Sequence, residues 1–175
     1  MNKYTIKTKV IILITNLILW LSLDQWTKIL AVDHLKFTAP KLYLSGIVRF
    51  IYAENNGAWG NLGGSWGEPW KTIFLVAIPV VVLIAISVTS IINKSASKLE
   101  TWSYVLIACG GLGNIIDRIR FGYVVDFMYV GLGKWPFQTN IFNIADVIIM
   151  TGFGIMILQI IRDKYFQKNH SSPDQ

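Results

Sequence analysis

The stretch CGGLGNIIDRIRFGYVVDF, Cys109 to Phe127, decides how the rest of the chain is read. It begins as a glycine-rich apolar segment and ends with Asp117 and Asp126 flanking Arg118 and Arg120. Charge is thus gathered at one edge of a segment that otherwise suits a bilayer. The whole chain has the same character. Of its 175 residues, 53% are hydrophobic and 15% charged, with positive mean hydropathy, against about 25% charged in an ordinary soluble domain. The net charge of +6 is carried by basic residues that flank apolar runs, with no basic groove or aromatic–basic motif beside them. Anionic lipid headgroups suit that charge better than nucleic acid does.

A membrane-crossing helix needs about 20 apolar residues. Four segments are expected to cross, at about 10–31, 72–92, 101–117 and 141–161. This predicts one all-α integral membrane domain over residues 1–165, with a disordered cytoplasmic tail over 166–175. The first segment follows Lys3, Lys7 and Lys9 as a signal peptide would. Charged DQWTK follows it instead of a small-x-small cleavage site, so it is read as a retained helix. The N-terminus, the NKSASKLE turn and the C-terminal tail hold eight of the sixteen Lys and Arg residues, at higher density than the two longer loops. That places both termini in the cytoplasm. Trp26, Trp59, Trp66, Trp70 and Trp135 then form an aromatic belt at the outer interface.

The outer loop KLYLSGIVRFIYAENNGAWG alternates apolar residues at Leu42, Leu44, Val48, Phe50 and Tyr52, which predicts a small extracytoplasmic sheet with NNG as its turn. Asn55 and Gly57 in that turn either close a strand or contact a substrate backbone. Cys109 sits in LIACG, which has the look of a lipid-attachment box. Deep inside an apolar run it reads instead as a small residue at a helix crossing, spaced small-xxx-small with Gly113. The one cysteine and the two distant histidines, His34 and His170, call for neither a disulfide nor a metal, and no cofactor is expected.

Seven of the ten acidic residues fall on the outer side or in outer span ends. Acids in or beside spans are costly and mark function. Asp24 and Lys28 are spaced i,i+4 in the favourable order, as a structural ion pair would be. Gly110, Asn114 and Arg118 share a helix face, with Arg118 expected to hold Asp117 or loop carbonyls. Asp126 in VVDF and Asp146 in FNIAD have no basic residue three or four positions away. If these two carboxylates meet in a poorly solvated site they cannot both ionise easily, and would share one proton across a water. The alternative is that they sit apart, each satisfied by backbone groups.

DQWTK, NNGAWG, GGLGNIIDR, VVDF and FNIAD occur in the order and approximate spacing of lipoprotein signal peptidases (signal peptidase II), and the chain resembles that family from about Asp24 to Asp146. The resemblance implies a four-helix aspartyl endopeptidase of the bacterial inner membrane, active near its outer face. It implies cleavage of prolipoproteins on the N-terminal side of a diacylglyceryl-modified cysteine. Carried onto this sequence it makes Asp126 and Asp146 the catalytic pair. The supporting positions become Asp24, Lys28, Asn55, Gly110, Asn114, Asp117, Arg118, Val124, Asn143 and Ala145. A mobile outer element is implied within KLYLSGIVRFIYAENNGAWGN. The expected partners are prolipoprotein substrates and membrane lipids, with the enzyme a monomer. Two departures flank the expected peptide surface: Trp59 and Gly60 in NNGAWG, and the early proline in KWPFQTNI.

Two other functions compete. A proton-coupled transporter also uses intramembrane acids, but it predicts acids spread across the membrane depth and often repeated halves. A structural scaffold leaves Asp126 and Asp146 without a role.

Overall fold

The structure is a computed structural model and describes residues 3–131 and 138–170, with side chains described as far as Tyr165. Four helices carry a three-stranded sheet: α1 (Ile6–Leu35), β1 (Lys41–Tyr43), β2 (Val48–Asn55), α2 (Trp70–Ile92), α3 (Lys98–Phe121), β3 (Val124–Val130) and α4 (Ile144–His170). Three of them, α1, α2 and the Ile144–Tyr165 part of α4, are long and apolar enough to cross a membrane. The helix expected over 101–117 is α3. Its polar residues are turned inward, with Thr101, Ser103, Asn114 and Asp117 all buried against the other helices. It is the central helix of the bundle, and its close partner is α4.

Local chemistry sets the helix ends. Thr5 caps α1 by accepting from the Thr8 amide at 3.2 Å. Ser97 and Glu100 form a reciprocal capping box at the start of α3. Gly122, at φ 80°, ends α3 in the left-handed conformation that costs glycine little. In α2 the backbone widens over Ile73–Ala77 just before Pro79, whose missing N–H leaves the carbonyl one turn earlier without a helical donor. Helix α4 continues to His170, so residues 166–170 are helical, where a disordered tail was expected. The rest of that tail, 171–175, lies outside the described residues, as does Trp135. Trp26, Trp59, Trp66 and Trp70 are exposed.

The sheet is antiparallel in the order β1-β2-β3. Its hairpin turn is Leu44–Gly46, where Leu44 and Ser45 both have positive φ. This corrects the expectation that NNG turns the sheet: Asn55 instead ends β2 as the partner of Val124. Phe50 and Tyr52 of β2, with Val125 and Phe127 of β3, pack on Ala31 and Leu35 at the end of α1. Burial of these apolar side chains, worth about 1.5–3 kcal/mol each, seats the sheet on the helices. The pairing shifts register between Phe50 and Ala53, opposite the stretch that contains Asp126. Such bulges re-aim neighbouring side chains.

Candidate active site

Two clusters of aspartates lie side by side where α1, α3, α4 and β3 converge. In the first, Lys28 Nζ lies 2.8 Å from Asp24 Oδ2 and 2.9 Å from Asp117 Oδ2, and donates to Asn114 Oδ1 at 3.1 Å. The expected Asp24–Lys28 pair is therefore present, and Asp117 completes it. All three charged groups are buried. Each carboxylate also anchors backbone. Asp24 Oδ1 accepts from the Ala145 amide at 2.9 Å, tying α1 to the first turn of α4. Asp117 Oδ2 accepts from the Val125 amide at 3.1 Å, tying α3 to the start of β3. Gln25, which sequence reasoning passed over, donates to Asp117 Oδ1 at 2.8 Å. Its position beside Asp24 in DQWTK was the available signal.

The second cluster holds Asp126 and Asp146. Asn143 Nδ2 donates to Asp126 Oδ1 at 2.7 Å, and the Asn143 amide donates to Asp146 Oδ2 at 3.1 Å. One residue thus bonds both carboxylates, and the charge of Asp146 acts on Asp126. Asn143 Oδ1 also accepts from the Asp146 amide at 3.0 Å. That reciprocal pair is a capping box, so the motif that starts α4 also orients Asp146. Asp146 stands in the first turn of α4, which begins at Ile144 rather than at the expected 141 because Asn143 ends the incoming loop as the cap. Asn55 Nδ2 donates to Asp126 Oδ2 at 3.1 Å, and Asn114 Nδ2 to Asp146 Oδ1 at 2.8 Å. Asn114 therefore belongs to both clusters.

No cation touches either carboxylate of this pair among the described residues. Two cations act on the pair through space without bonding it: Arg118 feels Asp126 and Asp146, and the charge of Lys28 reaches Asp126. Arg118 donates from its terminal nitrogens to the carbonyls of Gly57 and Asn114. It holds loop carbonyls, as one of its two expected roles had it, while Asp117 is held by Lys28 and Gln25. Gly57 closes an Asx turn, its amide donating to Asn55 Oδ1 at 3.1 Å. The Asp126 carboxyl is pushed up to about 7, first by burial and then by the charge of Asp146, against the opposing hydrogen bonds from Asn55 and Asn143.

Close helix contact makes room for the cluster. A Cβ on Gly110 would collide with the Ala145 carbonyl oxygen, and one on Gly113 would lie 2.6 Å from Asp24 Oδ2. Glycine at both positions lets α3 approach the start of α4. Cys109 packs on Leu13 of α1 and Gly113 faces Asp24 of the same helix, so the two small residues line the crossing of α3 with α1. Val124, two residues before Asp126, and Ala145, next to Asp146, are both buried. Of the segment KWPFQTNI, residues 134–137 lie outside the described residues. Trp59 is 87% exposed, and Gly60 beside it lines the cavity next to Asp126. Among the described residues no group of three or more His, Cys, Asp or Glu side chains is placed to hold a metal ion. Lys28 already occupies the space between Asp24 and Asp117.

Known proteins share this arrangement of sequence and fold. Residues 16–162 match the family model described as signal peptidase (SPase) II. A lipoprotein signal peptidase of Clostridium tetani is 33% identical over 151 residues, covering 86% of this chain and 93% of that protein. One from Psychromonas ingrahamii is 38% identical over 141 residues, covering 79% of this chain and 78% of that protein. A bacterial membrane enzyme solved by the in meso method at 2.3 Å resolution superposes with a TM-score of 0.73 at 25% identity, over 99% of this chain and 96% of the other. A second, solved at 1.9 Å, gives a TM-score of 0.71 at 27% identity, over 92% of this chain and 97% of the other. With the family model matching most of its length, the chain belongs to the signal peptidase II family of peptidases.

Proposed function

We propose that this protein is a membrane-embedded aspartyl endopeptidase that removes signal peptides from prolipoproteins, cutting N-terminal to a diacylglyceryl-modified cysteine. The observation that carries the reading is Asn143, which bonds both Asp126 and Asp146 and so joins two carboxylates that lack a cation. The lipoprotein signal peptidases it resembles supply the substrate class.

In this mechanism Asp146 takes a proton from water while the water oxygen attacks the scissile carbonyl. Asp126, whose carboxyl stays protonated up to about 7, gives its proton to the leaving nitrogen as the C–N bond breaks. The proton taken up by Asp146 then passes to Asp126, which restores the starting state for the next turnover. No covalent adduct forms with the enzyme. Asn55, Asn114 and Asn143 fix the carboxylates in place, which matters because a small misplacement of reacting groups costs rate steeply. All four helices cross the inner membrane, both termini are cytoplasmic, and the sheet lies at the outer face. A lipid-embedded site suits a substrate whose acyl chains stay in the bilayer.

The test is direct. Purified protein in detergent or lipid is incubated with a diacylglyceryl-cysteine peptide, and the products are read by mass spectrometry. Scission immediately before the cysteine is expected. Scission elsewhere, or none by folded protein, would defeat the reading.

A further inference from the structure

The sheet face that carries Asp126 lines an open cavity of about 670 Å³. Its wall follows every second residue of β2, at Arg49, Ile51, Ala53 and Asn55, and reaches β3 at Asp126 and Tyr129. Arg49 is paired with Tyr129, three residues along β3 from Asp126. At about 3.3 Å per residue, that is roughly 10 Å from the proposed chemistry.

The Arg49 guanidinium is held in place from two sides. Its Nε donates to the Gly46 carbonyl at 2.9 Å, and the group lies 5.1 Å from the centroid of the Tyr129 ring. Both terminal nitrogens are left without a partner among the described residues. Apart from Asp126, the other charged residue lining the cavity is Glu54, and Lys36 engages it at 3.0 Å. Arg49 therefore presents its charge to the cavity with no carboxylate bonded to it among the described residues. A planar fork, oriented on an aromatic face and with its outer donors open, suits bidentate capture of a carboxylate.

We infer that Arg49 is a specificity-determining residue that binds an acidic side chain of the substrate about three residues beyond the cleaved bond. The inference rests on the peptidase reading above. The direction follows from solubility: the apolar signal segment stays among the lipid-facing helices, and the polar segment beyond the lipid-bearing cysteine passes over the sheet. An extended peptide leaving Asp126 along β2 reaches Arg49 after about three residues.

The experiment measures kcat/KM for diacylglyceryl-cysteine peptides that carry Asp, Asn or Lys at positions two, three or four, counting the cysteine as one. Wild-type enzyme should favour Asp over Lys by about five- to tenfold at one of these positions, as a partly exposed ion pair would. The preference should narrow as ionic strength rises. Arg49→Gln should bring the Asp-to-Lys ratio close to one, Arg49→Glu should invert it, and Arg49→Lys should keep part of it. Equal rates for the Asp and Lys peptides in the wild type, or a ratio that survives Arg49→Glu, would overturn the role of Arg49 and leave the peptidase reading standing. Failure of the wild type to cut even the Asn peptides would overturn both.

Discussion

The two aspartate clusters are built from the same parts and share Asn114, yet they differ in one group. Asp24 and Asp117 flank Lys28 at 2.8 and 2.9 Å, so one ammonium offsets part of that cluster's negative charge, and its carboxylates tie α4 and β3 to the bundle. Asp126 and Asp146 have amides where the other pair has an ammonium. Amides orient a carboxylate without neutralising it, so a proton is left to balance the charge. The comparison teaches how a single cation can set two neighbouring acid pairs apart, and with it the roles proposed for them.

The largest effect should come from removing the proton site. Asp126→Asn and Asp146→Asn keep nearly the same shape but cannot gain and lose a proton. Each should lower lipopeptide cleavage by at least about a thousandfold, within the range for loss of general acid–base groups, while the protein still folds in detergent. Cleavage near the wild-type rate by either variant would remove that residue from the mechanism.

Next comes the cluster built on Lys28. Lys28→Met leaves Asp24 and Asp117 buried without their counter-charge. Removing one partner of a buried ion pair costs about 3–5 kcal/mol, so a large drop in Tm is expected. Removing one of the two stranded carboxylates with Asp24→Asn in the Lys28→Met background should recover part of that loss. If Lys28→Met melts with the wild type, the cluster is not structural and the contrast between the two pairs fails.

A smaller effect should come from the seam between them. Gly110→Ala places a methyl against the Ala145 carbonyl and pushes the first turn of α4, with Asp146, away from α3. A displacement of about 1 Å at reacting groups can cost roughly a hundredfold in rate. The fall should appear in kcat more than in KM, and Tm should drop less than in Lys28→Met. A change confined to KM would mean that Gly110 shapes peptide binding instead.

Much of the site was legible in the sequence because its motifs are local. FNIAD announces both a helix cap and its acid, and DQWTK announces an i,i+4 pair. The strand that carries Asp126 was not legible. Val124, Val125, Asp126 and Phe127 are all buried, so β3 has no alternation to betray it. The hairpin turn was hidden for a different reason: besides Gly46, Leu44 and Ser45 also adopt positive φ, which neither residue type advertises. The pairing of Lys28 with its second aspartate was not legible either. Asp117 meets Lys28 across the bundle, far along the chain, and spacing rules see only neighbours. Likewise the carbonyl that Arg118 holds belongs to Gly57 in another loop.

The central claim is that Asp126 and Asp146 share one proton where Asp24 and Asp117 share a lysine. The rate of lipopeptide cleavage across pH, at substrate well below KM and with folding checked at each point, tests it most directly. In acid both carboxyls are protonated and the base is lost. As pH rises through the Asp126 value of about 7, its carboxyl ionises beside Asp146 and the acid is lost. The account therefore predicts a bell in kcat/KM whose upper limb falls near neutral pH, its two apparent values belonging to the pair. A rate that stays flat from mildly acidic to clearly alkaline pH, on enzyme that remains folded, would contradict it.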